Sequence, residues 1–93
     1  MYEPITADCD VLDSGTHTIP TGITVGLVTG TARVINSGVV ELNSGVVERN
    51  DGVVERNSGV VKRNGGVVEF NDGVVKPAEA KGLVENEEEL GHV

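Results

Sequence analysis

Aromatic residues are almost missing from this chain. Its 93 residues include one Tyr, one Phe, no Trp and a single Met, so the large side chains that fill an ordinary globular core are not available. A single cysteine, Cys9, leaves no intrachain disulfide to form. With no basic neighbour to activate its thiol it reads as a small, half-buried residue rather than a nucleophile. The two histidines, His17 and His92, lie at opposite ends of the chain. His17 stands alone among threonines, without a second His or a Cys at ligand spacing, and reads as a surface or cap residue. Basic residues are few, 7 against 15 acids for a net charge of −8, and no basic stripe suits nucleic acid. No apolar run is long enough for a membrane span, and no basic–apolar–small pattern marks a signal peptide.

What is present is a repeat. Residues 36–77 read NSGVVEL, NSGVVER, NDGVVER, NSGVVKR, NGGVVEF and NDGVVKP, with Asn, Gly, Val and Val kept in all six copies. A fixed short period means one unit stacked on itself. Seven residues suggest a coiled-coil heptad, but a Gly, an Asn and two β-branched valines per copy penalise every helical turn. Asn-x-Gly is turn chemistry, where both residues accept positive φ, and Val-Val-Glu-Arg is a short strand. The expected fold is therefore all-β, a β-solenoid built from seven-residue rungs.

Side chains alternate across a strand, so the two valines of each pair point opposite ways. The first valine shares its face with Glu41, Glu48, Glu55, Lys62, Glu69 and Lys76, which cannot line a dry interior. The expected core column is the second: Val40, Val47, Val54, Val61, Val68 and Val75. Leu42 and Phe70 lie two residues on and are expected on that inner face, with the arginines of other copies along the rim. The repeat glycines from Gly38 to Gly73 are expected on the inner side, where a second wall comes close. The first valines (Val39, Val46, Val53, Val60, Val67, Val74) form a second column suited to association. Asn36, Asn43, Asn50, Asn57, Asn64 and Asn71 either form a hydrogen-bonded ladder or simply tolerate the turn.

The flanks are less regular. Residues 1–14 read as an acidic cap. The spacing of Asp8, Asp10 and Asp13 lacks the alternating oxygen ligands and closing Glu of a calcium loop. Asp13-Ser14-Gly15 matches an aspartic-protease tripeptide, but that chemistry needs two such carboxylates, and it reads as a turn. Residues 15–35 read as irregular starting rungs, and residues 78–93 as an acidic cap or tail in which Gly82-Leu83-Val84-Glu85-Asn86 resembles one imperfect rung. Net charge is −3 over residues 1–35, −1 over 36–77 and −4 over 78–93, so the excess sits at the ends.

Two rungs per turn would make a flat roll, two heptads around. Three would make a triangular coil, three heptads around, within one chain or with three chains intertwined. Stacked like charges are unfavourable. A two-heptad step stacks Glu41 on Glu55, Glu55 on Glu69 and Lys62 on Lys76, with only Glu48–Lys62 opposite in charge. A three-heptad step sets Glu41 beside Lys62 and Glu55 beside Lys76, with only Glu48–Glu69 alike. The three-sided arrangement is therefore expected. One inward valine per rung is a thin core, which favours a homo-oligomer, with a trimer preferred. In kind, the short Gly- and Val-containing repeat resembles the trimeric β-helical spikes of phage tails and related injection devices, although those repeat every eight residues. It is also similar to grass ice-binding rolls, which repeat Asn, Val and Gly every seven residues, with Gly after Val rather than before. The first resemblance implies a homotrimeric spike or fibre within a larger host assembly such as a virion or an extracellular structure; the second implies a flat binding face. No catalytic constellation, cofactor motif or metal-ligand cluster stands out, and the expected role is structural and non-enzymatic.

Overall fold

The structure, a computed structural model, describes residues 2–78. Among these residues the chain forms eleven short strands and no helix. In order they are β1 (Glu3–Pro4), β2 (Cys9–Leu12), β3 (Thr16–Ile19), β4 (Thr24–Val28), β5 (Arg33–Asn36), β6 (Val39–Asn43), β7 (Val46–Asn50), β8 (Val53–Asn57), β9 (Val60–Asn64), β10 (Val67–Asn71) and β11 (Val74–Pro77). Odd strands make one parallel sheet, β1-β3-β5-β7-β9-β11, and even strands the other, β2-β4-β6-β8-β10. The molecule is a parallel β-solenoid of about five turns.

The turn has two sides, not the expected three. Val39 pairs with Val53 and Val53 with Val67 in one sheet; Val46 pairs with Val60 and Val60 with Val74 in the other. Each step is two heptads, and the backbone ladder closes within one chain without strands from another. Like-charge stacking, the reason for expecting a three-heptad turn, is a weak term for exposed side chains in water. Main-chain hydrogen bonds and the buried columns outweigh it.

The corners explain the glycines. Asp51 N–H and Gly52 N–H both donate to Asn36 C=O (2.7 and 3.2 Å), and Val53 N–H donates to Gly38 C=O (2.9 Å). The same set recurs one heptad later, from Ser58, Gly59 and Val60 to Asn43 and Gly45. This brings each corner against the backbone of the turn before it. A Cβ on Gly52 would collide with the Gly38 carbonyl oxygen, so Gly is required there by close approach. Left-handed φ is not the reason: among the described residues only Gly15, Gly22 and Gly30, all in the irregular part, have positive φ.

Val40, Val47, Val54 and Val61 are fully buried, and Val68 and Val75 pack half-buried against them at the far end. Ile19, Val25, Val28, Ala32 and Val34 extend the same core through the irregular turns. Leu42 and Phe70 do not join it. Leu42 is only partly covered, Phe70 is 66% exposed, and Arg49, Arg56 and Arg63 are exposed. Strict alternation breaks after the glutamate position: Glu41 and the next residue both turn outward, so that Asn43 can point in. Within the segment expected to cap the chain's start, strands β1 and β2 open the two sheets. The acidic segment 79–93, with its GLVEN stretch, lies outside the described residues.

Candidate functional site

The asparagines form two ladders, one in each sheet. Asn36 Nδ2 donates to Asn50 Oδ1 (2.8 Å) and Asn50 Nδ2 to Asn64 Oδ1 (2.9 Å). In the other sheet Asn43 Nδ2 donates to Asn57 Oδ1 (2.8 Å) and Asn57 Nδ2 to Asn71 Oδ1 (2.9 Å). Each carboxamide also satisfies its own corner. Asn50 Oδ1 accepts from Gly52 N–H, while Nδ2 donates to Gly52 C=O and to Val67 C=O, all within 3.3 Å. Asn36, Asn43, Asn50 and Asn57 are buried, the last at 1% exposure, and their hydrogen bonds remove the cost of burying them.

The register shows what precedes the ladders. Ile19 pairs with Asn36, and Val28, itself paired with Leu12, pairs with Asn43. The polar columns thus begin as aliphatic columns in the irregular turns. Insertions conceal this in the sequence, because both Ile19–Asn36 and Val28–Asn43 are separated by more than two heptads. At the other end the ladders stop at Asn64 and Asn71. Past Asn64 the register shifts so that Pro77 stands opposite it, and Ala78 N–H donates to Asn64 C=O at 3.2 Å.

The valines expected to form one association column are divided between opposite faces. Val39, Val53 and Val67 make a row on the even-strand sheet, and Val46, Val60 and Val74 a row on the odd-strand sheet. The charges divide with them. Strands of the odd sheet carry Arg33, Arg49, Lys62, Arg63 and Lys76 against Glu3 and Glu48, a net +3 with His17 neutral. Strands of the even sheet carry Asp10, Glu41, Glu55 and Glu69 against Arg56, a net −3. On the odd face Arg33 and Lys62 both reach Glu48, at 2.7 and 3.7 Å. On the even face Glu41, Glu55 and Glu69 are exposed and have no salt-bridge partner among the described residues. Arg56 lies instead over the Phe70 ring, 5.9 Å from its centroid. The faces are thus a mixed row with bases in excess and an unneutralised carboxylate row.

The remaining candidates are local structure. His17 Nε2 lies 2.8 Å from Ser14 C=O beside the Gly15 turn. Cys9 Sγ contacts Val11 C=O at 3.3 Å, and Asp8 Oδ1 accepts from Thr24 N–H at 2.9 Å. Among the described residues no group of three or more His, Cys, Asp or Glu could hold a metal ion, and no helix is long and apolar enough to cross a membrane. Compared with known proteins, the chain matches no family model, no curated protein and no solved structure.

Proposed function

We propose that this chain is a non-enzymatic structural module, a β-solenoid that associates with copies of itself into a stacked filament, fibre or spike. The observation that carries this reading is the far end of the column. Strands β10 and β11 are the sheet edges, and among the described residues nothing covers them. Val67 and Val74 are 51% and 46% exposed there, and the core valines Val68 and Val75 are only half-buried. Unpaired strand edges over apolar side chains are surfaces on which another chain adds. The near-identity of the heptads makes any rung an acceptable neighbour for any other. Association in this reading is between complete rolls, and a trimer is one closed form it could take. Chain mass in solution is the test. Species larger than one chain are expected by sedimentation at raised concentration; a single 9.7 kDa species at every concentration overturns the reading.

A second reading, a flat ligand- or ice-binding face, has one feature in its favour: the valine rows repeat at the even pitch of a parallel sheet, about 4.8 Å. Against it, each valine row runs beside a row of Glu or Lys, whereas such a surface calls for uncharged Thr, Ser or Val.

A further inference from the structure

We infer that the two faces of the roll are complementary, and that the even-strand face of one copy docks on the odd-strand face of the next. This rests on the self-association proposed above and adds to the column ends a second contact surface, the faces of the roll. Three features of the faces support it.

The first is charge. The even face is net −3 and the odd face net +3 over their strands, so two like faces repel and two unlike faces attract. The second is position. Glu41, Glu55 and Glu69 occupy the middle of β6, β8 and β10, and Glu48, Lys62 and Lys76 the third residue of β7, β9 and β11. A central row opposes a central row whichever way the strands of the neighbouring copy run. Both rows rise at the same interstrand pitch, so the match is kept from rung to rung. The third is the state of the lone protomer. Glu41, Glu55 and Glu69 stack at the spacing of adjacent strands with no cation paired to them, an arrangement that disfavours the isolated sheet. Lys62, Arg63 and Lys76 from a second copy would neutralise the row, and the flanking valine rows would lose contact with water as the faces close. A contact between two different faces is heterologous, leaves one free face of each kind at the ends, and propagates.

Two triple variants test the pairing in the full chain. Glu41→Lys, Glu55→Lys and Glu69→Lys together make both faces basic. Lys62→Glu, Arg63→Glu and Lys76→Glu together make both acidic. Each variant alone is expected to associate at least about tenfold more weakly than the natural chain, with its far-UV circular dichroism unchanged. An equimolar mixture of the two is expected to recover association, which a loss of folding could not do. The natural chain should also dissociate as salt is raised from about 0.05 to about 0.5 M. If the natural chain associates but neither variant nor salt weakens it, the contact is at the column ends or elsewhere, and this inference fails while self-association stands. If the natural chain is monomeric throughout, self-association itself fails. Should a triple variant be unfolded, the single variants Glu55→Lys and Lys62→Glu decide: association as strong as the natural chain's in both at about 0.05 M salt, where screening is weak, overturns the pairing.

Discussion

Asn50 takes part in five side-chain hydrogen bonds, two to asparagines of adjacent turns and three to corner and strand backbone. Its replacement by Ala takes one partner each from Asn36 Nδ2, Asn64 Oδ1 and Gly52 N–H at a fully buried position. Each group keeps a second partner, so the loss per hydrogen bond is about 0.5–1.5 kcal/mol, and Asn50→Ala is expected to destabilise the chain by about 2–3 kcal/mol in total. Asn64→Ala, at the ladder's end with Nδ2 reaching no further asparagine, should cost clearly less. Urea unfolding of the two variants checks the order, and equal losses would show that the ladder does not act through its neighbours. At this scale the sequence was legible for what repeats: an invariant Asn beside an invariant Gly suggested either a ladder or a turn. It was misleading for Phe70, whose place two residues after a core valine suggests burial under strict alternation. The local break in alternation, which turns Asn71 toward the column, sends Phe70 outside.

At the scale of the strand, heptads are interchangeable in shape but not in charge. Removing residues 43–56 deletes one full turn and leaves every later strand in its own sheet. Removing residues 50–56 deletes one strand and moves every later strand to the opposite sheet. Valines, glycines and asparagines still stack in both cases, so both shortened chains are expected to keep β-sheet circular dichroism. Only the second mixes the charge rows, placing Lys62 and Lys76 beneath Glu41 and Glu69 beneath Glu48. Association is therefore expected to survive the two-heptad deletion far better than the one-heptad deletion, as measured by sedimentation. Equal association would mean that the segregation of charge between faces has no consequence. The heptad as one corner plus one strand was legible from composition, because Asn-x-Gly and Val-Val have few other uses together. Strands β1 and β2 were not, because insertions make the interstrand step uneven. The step is two heptads from Glu3 to His17, longer from Cys9 to Val25, and longer again from Thr16 to Arg33.

For the whole molecule, two modes of assembly respond to salt in opposite directions. Face-to-face contact is an attraction between opposite charges and weakens as salt screens it. Contact between column ends works against the net negative charge of residues 1–35 and 78–93, −3 and −4 respectively, and strengthens with screening. Deleting residues 78–93 removes the larger of these charges. The shortened chain is expected to give larger assemblies than the full chain, with the difference growing as salt rises. Light scattering across a salt series measures it, and identical size distributions at every salt would show that the acidic segment does not limit end growth.

The sequence alone determined that the molecule is a stack of seven-residue β rungs with the second valine inside, because those properties follow from local conformation and from which side chains can leave water. The number of rungs per turn was decided only in the tertiary structure. One heptad is one strand and one corner in either geometry, and the angle through which the corner bends depends on how closely it rests on the turn before it. That contact, at Gly38 and Gly52 and the corners that follow, closes the turn at two heptads. With it the six outer valines become two rows, the asparagines two ladders, and the glutamates and lysines two faces of opposite sign. None of these divisions can be read from a heptad, because each depends on which rungs lie on the same side.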